Sequence, residues 1–170
     1  MTPPRDATQG PTPFALGPGG GHPFALPTRG RGTVKLGTAG SAGTVTVLEL
    51  AVESGHGPGV HLHTREHELW YVLEGEFRFL LGDSLVQEPA GGLAFGPRGT
   101  PHTFQNIGAG TGRLLVITGP SGLEDLFLEY DRRASGPYDS AALEEAARVA
   151  GIDFVGPPLA VSEPRPAPTA

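Results

Sequence analysis

Between Thr33 and Thr118 the chain never sustains an apolar run longer than a single strand, and glycine, proline or aspartate cuts each run short. Thr44 to Val52 (TVTVLELAV) is rich in β-branched residues and alternates loosely, as a strand with one buried face does. ELWYVL (Glu68 to Leu73) and EFRFLL (Glu76 to Leu81) follow, and Gly82-Asp83-Ser84 supplies a turn. Shorter runs at Leu85 to Gln87, Gly92 to Phe95, His102 to Asn106 and Arg113 to Thr118 complete the set. Strands this short, at intervals of roughly 8 to 12 residues, predict a sandwich or barrel. No helical period intervenes, so a parallel sheet of βαβ units is not expected. The fold class is all-β.

The flanks differ in composition. At 170 residues the chain supports one domain with a real core. Many of its 27 glycines and 18 prolines lie at the two ends. Residues 1–22 read as a flexible arm and residues 157–170 as a disordered tail. The tetrad PFAL occurs at Pro13 to Leu16 and again at Pro23 to Leu26; the second copy is the expected start of a barrel spanning 23–120. Residues 121–156 form the expected helical extension. Leu123, Leu126, Phe127 and Tyr130 share one helical face. Ser140 to Val149 makes a second helix, with Asp139 or Ser140 as N-cap and Gly151 as its stop.

Several functions are excluded early. The net charge is −6 and no basic run is present, which argues against nucleic acid as a partner. Without cysteine there are no disulfides, thiolate ligands or cysteine nucleophile. No apolar stretch has signal-peptide or membrane-spanning character, so a cytoplasmic protein with no membrane contact is expected. GPGGGH lacks the lysine of a phosphate-binding loop.

The chemistry concentrates in two segments, GHGPGVHLHTREHELWYVLEG and GGLAFGPRGTPHTFQN. His61 and His63 alternate, so on a strand both imidazoles point to one face. Glu68 can return a carboxylate to that cavity if the chain bends between Thr64 and His67. His102 follows a Pro and a Gly that mark a turn. Three imidazoles and one carboxylate suit a divalent transition metal with open positions. Glu66 is the competing carboxylate. His67 falls on the opposite strand face and is read as facing solvent or standing behind a ligand. By two-residue alternation Trp70 and Val72 share the face of Glu68, and Phe104 that of His102. With Phe79 and Phe95 they form the expected substrate pocket, suited to a small aromatic or apolar compound, ordinary barrel core being the competing reading for each one taken singly. Arg78 and Arg98 are read as solvated side chains, with binding of a substrate anion as the alternative.

These residues resemble the cupin superfamily. The motif G(X)5HXH(X)3,4E(X)6G is met by Gly55, His61, His63, Glu68 and Gly75, and G(X)5PXG(X)2H(X)3N by Gly91, Pro97, Gly99, His102 and Asn106. The resemblance implies a double-stranded β-helix, or jelly-roll barrel, with one or two C-terminal helices. It assigns His61, His63, Glu68 and His102 as ligands to Fe, Ni, Mn or Co, with Zn as a further candidate. The ending GIDFVGPPL is similar to that of small single-cupin proteins related to quercetin dioxygenases, and cupins commonly form homodimers. The implied activity is a dioxygenase acting on a small aromatic or enolisable molecule, with dioxygen as co-substrate and Glu68 as both ligand and catalytic base. The competing readings are a non-oxidative metal-dependent isomerase, lyase or cyclase, and a small-molecule-binding cupin without turnover.

Overall fold

The computed structural model describes residues 11–27, 29–136 and 138–163. The first ten residues of the expected arm (1–10) and the last part of the expected tail (164–170) lie outside the described residues. The elements run β1 (His22–Ala25), β2 (Gly30–Leu36), α1 (Thr38–Ser41), β3 (Thr46–Val52), β4 (Gly59–His63), β5 (His67–Glu74), β6 (Glu76–Leu81), β7 (Ser84–Pro89), β8 (Leu93–Gly96), β9 (His102–Asn106) and β10 (Gly112–Gly119). They close with α2 (Glu124–Arg133), α3 (Ser140–Ala150), β11 (Ile152–Pro158) and α4 (Leu159–Ser162). A six-stranded sheet, ordered β1-β2-β3-β10-β5-β8, faces a five-stranded one, β11-β4-β9-β6-β7. The described pairings are antiparallel. This is the expected all-β architecture.

Alternation along the central strands builds the interior. Leu48 on β3, Val116 on β10 and Trp70 on β5 lie in register, as do Leu50, Leu114 and Val72, and all six are buried. Phe77, Phe79 and Phe104 meet them from the other sheet. One row further along the same strands the register changes character, bringing Thr46, Thr118 and Glu68 side by side. The barrel is therefore apolar through most of its depth and polar at one end.

Positive φ at Gly75 (88°) and Gly99 (78°) explains two of the motif glycines, since a side chain is disfavoured in that region. Asn106 is fully buried and acts as a clasp. Its Nδ2 donates to the Val52 and Gly110 carbonyls, each at 2.8 Å, and its Oδ1 accepts from the Gly108 amide at 2.9 Å. Its main chain is bonded to His56 and Gly55. This one side chain ties β9 to the end of β3 and to the loop before β10.

The C-terminal third packs back onto the barrel. Phe24, from the second PFAL copy, is buried and stacks on Phe127 of α2 with ring centroids 4.3 Å apart. Glu124 begins α2 in a buried position and accepts hydrogen bonds from Thr46 Oγ1 and the Thr38 amide. Asp139 caps α3, accepting from the Ala142 amide at 3.0 Å, and Gly151 ends it with φ 76°. The stretch 152–158 differs from expectation. It is a strand rather than the end of a helical extension running into a disordered tail, and Leu159 in α4 is buried. Gly156, Pro157 and Pro158 erase its local strand signal, yet they are tolerated because β11 is an edge strand. Its pairing with β4 shifts register on both sides of Gly156. Arg78 holds this end in place: Nε donates to Gln105 Oε1 at 2.7 Å and Nη2 to the carbonyls of Leu159 and Glu163. No helix among the described residues is long and apolar enough to cross a membrane.

Replacing Asn106 with alanine removes three side-chain hydrogen bonds to backbone groups, one of them to the buried Val52 carbonyl. It is expected to lower unfolding stability by about 2 to 4 kcal/mol. Denaturant unfolding of the two proteins measures the difference; a change within 0.5 kcal/mol, on the order of a neutral surface substitution, contradicts the clasp.

Candidate metal centre

The polar end of the barrel gathers side chains from both sheets. β4 contributes His61 and His63 on one face, and His102 on β9 lies directly across from His61. Glu68 reaches in from β5 of the opposite sheet, because the chain bends at Thr64 and Arg65 between β4 and β5. All four are buried, and one ligand atom from each lies within 4.8 Å of the others. The loop carrying Pro97 and Gly99 is anchored to the site, with the Gly99 amide donating to the His63 carbonyl at 2.9 Å.

Hydrogen bonds set how each group points. His61 Nδ1 lies 2.8 Å from the Gly59 carbonyl, which requires the proton on Nδ1 and leaves Nε2 with a free lone pair. His63 Nδ1 lies 3.3 Å from Glu66 Oε2. Its Nε2 is 3.0 Å from Glu68 Oε2, but without the alignment of a hydrogen bond, so this buried nitrogen has no bonded partner. His102 Nε2 lies 3.1 Å from the same Glu68 oxygen, and its ring packs edge-on against Trp70 with centroids 5.1 Å apart.

Electrostatics follow from burying a carboxylate among imidazoles. Burial alone would raise the Glu68 pKa, but the neighbouring His63 and His102 hold it well below the usual carboxylate range. Burial alone would lower His63, yet the Glu68 and Glu66 carboxylates overcome it and push His63 up to about 9. Burial dominates at His61, which falls to about 4. The cluster thus carries its compensating positive charge on His63. The donor set also fits a divalent cation. It offers three imidazoles and a carboxylate, an unbonded nitrogen aimed inward, and a second carboxylate, Glu66, that is 2% exposed behind His63. A carboxylate behind a ligating histidine fixes its tautomer and strengthens it as a donor.

A pocket of about 690 Å³, including its open mouth, reaches the cluster. Its walls include Leu26, Leu48, Leu50, Phe104, Leu126 and Phe154, and the only polar side chains lining it among the described residues are His61, His63 and Glu68. Of the five residues expected to form the substrate pocket, Phe104 lines it. Trp70, Val72 and Phe79 are sealed into the core and do not. Phe95 is corrected outright: it is 47% exposed on the outer sheet face and stacks on the exposed His67 at 5.9 Å. Its register opposite Leu69, rather than opposite Glu68 or Trp70, decides this. Arg78 binds protein carbonyls and Gln105 instead of facing the pocket. Beyond the barrel strands, the remaining walls come from Leu26 and Pro27 after β1, from Pro58, and from α2 with its N-cap Leu123, α3 and β11. Only the apolar face of α2 offered a sequence signal for any of them, and that signal indicated burial without indicating what would be covered.

Residues 48–118 match the cupin domain family. A comparison with curated protein sequences returned no match. Among solved structures, TT1209 from Thermus thermophilus is 27% identical, covering 55% of this chain and 83% of that one, with a TM-score of 0.46. A conserved protein with a double-stranded β-helix domain from Klebsiella pneumoniae is 21% identical, covering 62% and 84%, with a TM-score of 0.47. A predicted oxalate decarboxylase from Thermotoga maritima is 23% identical, covering 54% and 80%, with a TM-score of 0.52, and it shares the fold.

Two outcomes follow for metal binding. With His63 pushed up to about 9, a metal must displace a proton at neutral pH. Affinity is therefore expected to rise about tenfold per pH unit between pH 6 and 8 and to level off above 9. Titration calorimetry in buffers of different ionisation enthalpy should show about one proton released per ion at pH 7; an affinity independent of pH contradicts this charge assignment. Glu66→Ala is expected to weaken zinc binding by roughly 10- to 100-fold while leaving the circular-dichroism spectrum unchanged.

Proposed function

This chain is a member of the cupin superfamily, and we propose that it is a metal-dependent dioxygenase acting on a small aromatic or enolisable compound, similar in reaction class to quercetinases. The carrying observation is that His61, His63 and Glu68 of the four-ligand cluster line a pocket whose remaining lining side chains are apolar. A divalent iron, nickel, manganese or cobalt ion held there supplies Lewis acidity and access to dioxygen chemistry.

The chain's own residues shape what can react. The walls from Leu48, Leu50, Val116, Leu126 and Phe127 exclude water and leave a substrate few polar partners other than the ligand end. Glu68 is the proton acceptor within reach of that end. Its carboxylate is kept ionised by the neighbouring His63 and His102, so it is available to accept a proton from a bound substrate. A dicarboxylate such as oxalate, the substrate named for the Thermotoga maritima protein, would need a cation for its second carboxylate. None lines this pocket among the described residues.

Oxygen consumption tests the reading. Protein reconstituted in turn with iron, nickel, manganese and cobalt is expected to consume dioxygen with a flavonol or a simple enediol, and His102→Ala to lose both bound metal and uptake. Turnover under anaerobic conditions with zinc would move the protein to the isomerase, lyase or cyclase class. Metal binding without turnover under either condition would leave a small-molecule-binding protein.

A further inference from the structure

We propose that Phe154 is a specificity-determining residue of this pocket, a ring wall at its mouth on which a planar aromatic substrate stacks beside the metal ligands. The inference rests on the reading that the pocket admits small aromatic or enolisable molecules. Phe154 lies on β11 directly across from His61 on β4. The two rings stand 5.6 Å apart at 52°. Phe154 lines the pocket, yet it is 39% exposed, unlike the sealed core aromatics Trp70, Phe77 and Phe79. A ring that is neither buried nor free is suited to contact with something that enters.

Gly59 lets β11 and its ring sit close to β4: a Cβ there would lie 2.9 Å from the Gly156 carbonyl oxygen and 3.3 Å from Phe154 Cδ1. The carbonyl of the same residue orients His61 through the 2.8 Å contact at Nδ1. Ligand orientation and wall position are thereby coupled through one residue. The pairing of β11 shifts register immediately after Phe154, and a shallow outer pocket formed by Glu144, Ala147, Arg148, Ile152 and Asp153 adjoins the ring. The ring therefore has room to tilt as a flat molecule arrives. Offset or edge contact between aromatic rings discriminates planar from aliphatic ligands of equal metal affinity.

The test uses two metal-chelating probes with zinc-loaded protein, in which no turnover competes. 4-Nitrocatechol is planar and reports binding by its absorption; acetohydroxamate is aliphatic and is measured by displacing it. Phe154→Leu and Phe154→Ala are expected to weaken nitrocatechol binding roughly 3- to 10-fold. Acetohydroxamate affinity and zinc content by elemental mass spectrometry should stay unchanged, and Phe154→Tyr should restore nitrocatechol binding. Equal weakening of both probes would show that Phe154 merely supports His61, and no change for either would remove it from the site; each overturns the proposal alone. A wild-type protein that holds zinc but binds neither probe would overturn the functional reading and this inference with it.

Discussion

Two carboxylates buried at one end of a barrel need positive charge close by. Glu68 and Glu66 are both shielded from water, and an isolated ionised carboxylate in such a place is unfavourable by several kcal/mol. Much of the local architecture answers that requirement. His63 sits between the two acids, 3.3 Å from Glu66 and 3.0 Å from Glu68, and retains a proton to a pH of about 9. His102, on β9 beside the strand of His63, approaches Glu68 from across the two sheets. A divalent ion held by His61, His63, Glu68 and His102 would supply positive charge to the same cluster.

The same requirement explains why the site joins the two sheets. His61, His63 and His102 belong to one sheet and Glu68 to the other. Their interaction fastens the barrel at the end where the apolar rows give way to the row of Thr46, Thr118 and Glu68. The C-terminal elements then convert a polar opening into a sheltered pocket. α2 and its N-cap residue supply Leu126, Phe127 and Leu123, α3 supplies Leu143, and β11 supplies Ile152 and Phe154. Glu124 and Arg78 hold these segments by hydrogen bonds to the barrel and to main-chain carbonyls. The apolar shelter at the ligand end is thus shared between barrel residues and residues that follow the barrel in sequence.

The legible parts share a physical character. Alternation announced the strands because one face of each is buried, and the histidine pair on β4 inherits its common face from the same period. Gly75, Gly99 and Asn106 could be recognised because each meets a backbone demand that few other residues meet. The misplaced residues were those whose surroundings are set by register or by distant chain. Trp70 and Val72 do share the face of Glu68 but point into rows deeper than the pocket. Phe95 was displaced by strand pairing that puts it opposite Leu69. Glu66, one carboxylate among two in a short run, is separated from Glu68 only by which side of His63 it reaches.

What the sequence by itself determined is therefore the barrel class, the four-residue donor set and the turns that deliver it, since these depend on periodicity, spacing and backbone conformation within short segments. What only the tertiary structure decided is the pocket: the support of His63 by Glu66, the burial of Arg78 and the placement of Phe154 against His61. Each depends on contacts between residues far apart in the chain. The segment 152–158 shows the reason most directly. Its glycine and two prolines suppress any local preference for a strand, and it becomes one because β4 offers an open edge and the hydrogen bonds to pair with it.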